Sequence, residues 1–317
     1  MKPAFSVLIF TVLAGAGSGL LTLMMSFQLY NFYHGNVVID SSAFLTASVA
    51  GLVMMTLGLL SSTMHLANPK NAWRAFSRFR TSWLSREGVL AILFYPIFLL
   101  FILSLYLNSW IYSWYSMLLA MLSIAVSLAT VYCTGMIYAS LKPIRQWHNQ
   151  WTTPIYLLMS GLSGSILLLF NQAVNDKELS HAYLAVYLVF VVITALFKWL
   201  YFAHIGKPDG ATINSATGFS QAKVRLLDAG HSADTFLTNE FGFDPGALML
   251  LRLRRLMALA TFMVPIGLVF ASLFIKQLSI VVFLAAFITL VGLLLERWLF
   301  FAEARHVVKL YHGAQAV

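Results

Sequence analysis

Residues 88–107 read GVLAILFYPIFLLFILSLYL, an unbroken apolar run without one charged side chain. About 20 such residues, rising 1.5 Å each as a helix, cross the roughly 30 Å hydrocarbon layer of a bilayer. Lipid offers no partner to backbone N–H and C=O groups, so a run of this kind must satisfy them internally and is a helix. Moving away from it in both directions, further runs of similar character lie near 5–32, 43–66, 112–141, 154–172, 181–204, 253–275 and 279–302. None shows the strand-length alternation of a barrel. Of the 317 residues, 60% are hydrophobic and 10% are charged, with a mean hydropathy of +0.82. A soluble domain carries roughly 25% charged residues. The expected fold is an all-α integral membrane protein with eight transmembrane helices in a single domain spanning 1–317. A soluble enzyme is excluded.

The first run follows Lys2 but is too long for a signal peptide and has no convincing small-residue cleavage site, so it reads as a retained helix. The loops between runs are short except for a polar insert at 206–250. It is bounded by Gly206-Lys207-Pro208-Asp209-Gly210 and by Phe243-Asp244-Pro245-Gly246. Val224, Leu226 and Leu227 among Lys223, Arg225 and Asp228 predict a short amphipathic helix over about 219–229. No internal repeat and no low-complexity tract is visible.

The net charge of +9 is distributed on one side. With eight spans, the loops sharing a side with the N-terminus hold Lys70, Arg74, Arg78, Arg80, Arg86, Lys142, Arg145, Lys207, Lys223, Arg225, Arg252, Arg254 and Arg255. Lys2, Arg305 and Lys309 join them, and the opposite loops offer only Lys177 and Lys276. Basic loops stay in the cytoplasm, which makes both termini cytoplasmic. Such a face also attracts anionic lipid. No base-reading fold or aromatic–basic stacking platform accompanies it, so nucleic acid is not an expected partner.

Ionisable groups within or at the ends of membrane helices mark functional positions. Helix alternation puts His65, Glu87, His204 and the Glu296–Arg297 pair in one leaflet. A quinone ring needs a hydrogen-bonding group at each carbonyl and a route for two protons. Histidine can give and take a proton near neutrality, and a partly buried carboxylate can relay one. His65 and Glu87 suit those roles, and Arg297 and His204 are secondary candidates. Each also has a structural reading. Glu87 opens a helix, where a carboxylate meets the positive end of the dipole. His65, beside Asn68-Pro69, can cap a helix, and Arg297 can snorkel. His148, between Trp147 and Trp151, fits an interfacial aromatic belt. His34, His181, His231 and His312 fit solvated positions. Haem needs facing ligands within the bilayer, and only His65 with His204 leaves that open. Cys133 is the single cysteine, so the chain by itself cannot supply a thiolate zinc site or a Cys-ligated iron–sulfur cluster. There is no P-loop, Rossmann fingerprint, HExxH or GxSxG. Gly15, Gly17 and Gly19 are spaced for close helix packing.

The segment Met64-His65-Leu66-Ala67-Asn68-Pro69-Lys70-Asn71-Ala72-Trp73-Arg74-Ala75-Phe76, followed by Ser82-Trp83-Leu84-Ser85-Arg86-Glu87, resembles the membrane anchor subunit of the dimethyl sulfoxide reductase family. Trp147-His148-Asn149-Gln150-Trp151-Thr152-Thr153-Pro154 and Arg297-Trp298-Leu299-Phe300-Phe301 are similar to that family's fifth-helix start and last-helix arginine. The resemblance implies an anchor in the bacterial inner membrane for a molybdopterin catalytic subunit and a ferredoxin-like iron–sulfur subunit. It implies electron exchange with a quinone or menaquinone substrate and no haem or iron–sulfur cluster in this chain. The family's quinol-site histidine and glutamate map onto His65 and Glu87. The long 206–250 insert and the cytoplasmic placement of the Glu87 end depart from the simplest members. Both are more similar to the anchor of the cytoplasmic sulfite dehydrogenase (sulfite:quinone oxidoreductase) branch. Arg74, Arg78, Arg80 and Arg86 are then expected to dock the iron–sulfur partner on the cytoplasmic side. The rival readings are a secondary transporter, which would place charges at the midplane and often show repeats, and a tether without a quinone site.

Overall fold

The computed structural model describes residues 1–35, 38–64, 68–175, 179–207, 210–228, 241–274 and 278–317. Among these residues eight helices are long and apolar enough to cross a membrane. They are α1 (Phe5–Tyr33), α2 (Ser41–Thr63), α3 (Trp83–Leu107), α4 (Trp114–Ala139), α5 (Thr152–Asn175), α6 (His181–Ile205), α8 (Ala247–Ser272) and α9 (Leu278–Ala302). A short α7 (Ile213–Thr217) lies between α6 and α8. No β-strand occurs among the described residues.

Local capping sets the starts that hydropathy places only approximately. The Asp40 side chain accepts from the backbone N–H groups of Ser42 and Ala43, satisfying donors that the first turn leaves unpaired. Ser82 accepts from the N–H of Ser85 in the same way, so α3 begins at Trp83, ahead of the apolar run at 88. Arg86 and Glu87 are thereby drawn into the helix. Gly246, at φ +80°, turns the chain into α8 at Ala247 rather than near 253. Within α8, residues Leu259–Met263 widen into a π-type turn just before Pro265. Proline has no N–H to return to the carbonyl four residues back, so the ladder must readjust there. In the insert the amphipathic helix expected at 219–229 does not form over 219–228; the helix lies earlier, at Ile213–Thr217. Thr212 and Ser215 form a reciprocal capping box and Gly218, at φ +78°, ends the turn, so cap chemistry outweighs the weak apolar pattern that follows.

Two buried clusters share α1. One unites it with α2, α3 and α4, and the other with α5, α6, α8 and α9. The halves meet where α1 crosses α5. A Cβ placed on Gly19 would overlap the Ser160 carbonyl, and one on Gly164 would overlap the Gly19 backbone. Gly17 faces the other way, where a Cβ would come within 2.5 Å of the Gly51 carbonyl on α2. Gly15 differs: nothing lies within 4 Å of its Cβ position.

Both chain ends meet at one end of the bundle. The Met1 amino group donates to the Ala304 carbonyl (2.9 Å), Ile144 pairs with His306, and Thr212 pairs with Ala316. At the other end Val38 pairs with Ile111, joining the α1–α2 and α3–α4 turns. The basic loops therefore converge, as the charge distribution predicts.

Candidate functional site

Glu87 sits in the first turns of α3, about 6 Å from the helix start, and is 3% exposed. The Ser82 cap fixes the phase of α3 so that this side chain points inward, where the Thr134 hydroxyl of α4 donates to its Oε1. Beyond Glu87 lies a cavity of about 40 Å³ between α1, α2, α3, α4, α5 and α9. Each internal water needs about 10–15 Å³ on this measure, so the space suits about three waters. It is far smaller than the roughly 300 Å³ at which ligand pockets begin. A ring could be seated there only if the surrounding helices part. Gly15 lines the cavity and is where α1 leaves room. The Ser160 hydroxyl of α5 donates to the Gly15 carbonyl (2.6 Å), holding the two helices together beside the opening.

The far wall is Arg297 of α9, 3% exposed. It does not snorkel. Its guanidinium lies 4.0 Å above the Tyr156 ring, and its Nε donates to Glu296. Glu296 also accepts from Lys198 Nζ of α6 at 2.7 Å, and Lys198 rests over the rings of Tyr201 and Phe202. Three charges thus lie within spanning helices, buried and mutually paired. Withdrawing one partner from such a set costs about 3–5 kcal/mol, because it leaves a buried charge without compensation.

Of the residues anticipated from sequence, Glu87 and Arg297 line the same cavity. His65 and His231 lie outside the described residues. His204 does not line this cavity; it ends α6, where its backbone carbonyl accepts from Arg145 (3.3 Å). Arg74, Arg78 and Arg80 are exposed on the loop before α3. Arg86 is turned back on that loop: it donates to the carbonyls of Phe79 (3.0 Å) and Arg80 (2.8 Å) and stacks over Trp83. Trp147 is buried, stacked on Phe300 and bonded to its carbonyl (2.9 Å), so it belongs to the core rather than to an aromatic belt.

This buried carboxylate on α3, sharing a cavity with an arginine on the last helix of an eight-span bundle, is accompanied by a family match. The sequence profile of the DMSO reductase anchor subunit (DmsC) fits residues 1–302. The chain belongs to the DMSO reductase anchor subunit family. It is also 31% identical to a sulfite dehydrogenase subunit of Allochromatium vinosum, over the full length of both chains. This member of the anchor family is therefore a membrane anchor subunit of an oxidoreductase. Sequence reasoning passed over Thr134, Tyr156 and the pairing of Lys198 in this anchor. A signal for the last existed: Lys198 and Glu296 lie about 10 and 9 Å from the same-side ends of their helices, opposite charges at matching depth.

Proposed function

We propose that this anchor exchanges electrons between quinone and an iron–sulfur partner, with the ring seated in the Glu87 cavity when the helices lining it part. The observation that carries the reading is a buried carboxylate and a buried guanidinium, Glu87 and Arg297, lining one cavity between the helices. A quinone offers two carbonyl oxygens, and its reduction takes up two electrons and two protons. Glu87 gives or takes a proton at one side of the ring. His65 is assigned the hydrogen bond and proton exchange at the other, and Arg297 orients the ring. The electrons travel to or from a ferredoxin-like iron–sulfur subunit, which in turn serves a molybdopterin subunit. Exposed Arg74, Arg78 and Arg80 lie on the loop that leads into the Glu87 helix, and they are assigned to docking that partner. The clustered basic loops support assigning this end to the cytoplasm of a bacterial inner membrane. Similarity to a sulfite dehydrogenase subunit favours sulfite as the source of electrons, which then flow into quinone or menaquinone.

The test is titration of the purified membrane complex with a tight-binding quinone-site inhibitor, comparing wild type with Glu87→Gln and His65→Ala. Stoichiometric binding in wild type, weakened in both variants while quinone-linked turnover falls by about 100-fold, is the expected result. Equal binding and turnover in all three would take the quinone site away from Glu87 and His65, and no binding in any would reduce the chain to a tether.

A further inference from the structure

We infer that the buried Lys198, Glu296 and Arg297 form a proton path from the Glu87 cavity to a second, wider cavity at the loop end, with Glu303 at its mouth. The inference rests on the quinone reading above and adds how the site's protons reach water.

Named contacts carry the path from the Glu87 cavity to Lys198, and Lys198 and Glu303 lie close enough to interact electrostatically. The Glu87 cavity has Arg297 on its far wall. Arg297 bonds Glu296, and Glu296 bonds Lys198. Toward the loop end, Glu303 follows α9 directly and accepts from Arg254 Nε (2.5 Å). Its second oxygen, Oε2, has no hydrogen-bond partner, although the side chain is only 4% exposed. Glu303 and Arg254 line the second cavity, of about 430 Å³, with Arg145, Lys207, Arg305 and Lys309 around it. Burial raises the Glu303 carboxyl above the ordinary glutamate range despite Arg254, so it holds a proton more readily than a surface carboxylate does.

A structural clamp between α6 and α9 would not need these residues. Well-packed apolar side chains hold helices together at least as well as a buried ion pair, without the cost of desolvating three charges. Charges kept inside spanning segments mark ion and proton routes. The chemistry fits. Arg297 stays protonated throughout and serves as a fixed charge that orients water in the Glu87 cavity. Lys198 and Glu296 can exchange one proton between them, passing from an ion pair to a neutral pair and back. A proton entering at Glu303 reloads Lys198 once Lys198 has given its own to Glu296, and Glu296 releases it past its bonded neighbour Arg297, which lines the Glu87 cavity, to water there. Two such passages supply the two protons of quinone reduction, and the same steps in reverse remove those of quinol oxidation. The electrons come from, or go to, the iron–sulfur partner.

The experiment uses the intact membrane complex with Glu303→Gln and with the double variant Lys198→Met/Glu296→Gln, which keeps the net charge of the cluster. Three quantities are read: inhibitor stoichiometry at the quinone site, quinone-linked turnover with and without added formate as a mobile proton carrier, and the solvent deuterium isotope effect. The expected result is unchanged inhibitor binding in Glu303→Gln, and in both variants turnover lower by about tenfold or more, partial recovery with formate, and a larger isotope effect. Glu303→Asp should restore part of the rate. Unchanged turnover in both variants, or a loss that neither formate relieves nor deuterium deepens, overturns the path. Absence of inhibitor binding in wild type overturns the quinone reading itself, and the two failures are therefore distinguishable.

Discussion

Glu87 owes its position to a serine five residues earlier. Were α3 to begin where its uncharged run begins, at Gly88, the carboxylate would lie in the preceding loop; the Ser82 cap carries the helix back to Trp83 and turns Glu87 inward. Thr134 then holds one carboxylate oxygen. Removing only the hydroxyl, in Thr134→Val, keeps the volume and leaves that oxygen without its donor. A hydrogen bond to a charged group is worth about 1.5–3 kcal/mol. Quinone-linked turnover of the complex is expected to fall by roughly ten- to hundredfold, with the amount of assembled complex unchanged; wild-type kinetics would show that Glu87 is positioned without this bond. Glu87 was legible in the sequence because a carboxylate beside an uncharged apolar run is conspicuous. Thr134 was not, because threonine in a membrane helix ordinarily bonds its own backbone, as Thr130 does to Val126, and Thr134 also reaches the Thr130 carbonyl (3.1 Å). Nothing local distinguishes the two hydroxyls; the difference is the neighbouring helix.

The glycines of α1 show the same limit among packed helices. Gly15, Gly17 and Gly19 read alike as a small-residue face, but successive residues of an α-helix turn by about 100°, so Gly17 looks away from the other two. It meets α2, Gly19 meets α5, and Gly15 borders the cavity. Close packing was thus readable for the helix but not which glycine it needed. The eight spans themselves were legible from length and hydropathy, whereas the Pro265 readjustment and the α7 cap depend on individual hydrogen bonds. The contrast can be measured. Gly19→Ala forces a methyl into the Ser160 carbonyl and should cost about 1–3 kcal/mol or more, seen as a lower thermal unfolding midpoint of the detergent-solubilised protein. Gly15→Leu should leave that midpoint near wild type, fill the cavity, and abolish inhibitor binding. The reverse pattern would place the α1–α5 contact and the cavity at each other's glycines.

Across the whole bundle, opposite requirements are kept at opposite places: paired charges inside the helices, exposed basic side chains on one rim. The Lys198–Glu296–Arg297 set lies about midway between the helix midpoints and the loop end, displaced toward the loops from the midplane sites of transporters. The rim was legible because loop charge counts need no tertiary information, whereas the pairing of Lys198 with Glu296 required α6 and α9 to be neighbours. Arg74, Arg78 and Arg80 are exposed and lie on a loop anchored by Phe76, which packs over Gly88, and by Arg86, which bonds back to Phe79 and Arg80. Those three charges are therefore presented on a supported surface. Exposed charges at an interface act mainly through long-range attraction, which salt screens over about 8–10 Å at ordinary ionic strength. Reversing them in Arg74→Glu/Arg78→Glu/Arg80→Glu should leave the anchor's helical content and membrane insertion intact. Recovery of the iron–sulfur partner with the tagged anchor should drop by about tenfold at physiological salt, and the wild-type complex should itself dissociate more readily as salt is raised. Arg86→Glu is a control of another kind, since it breaks the loop's own bonds and should loosen the partner without a matching salt dependence. Equal partner recovery from wild type and the triple variant at every salt concentration would move the docking surface away from this loop, toward the rim formed by 140–151 and the C-terminal segment.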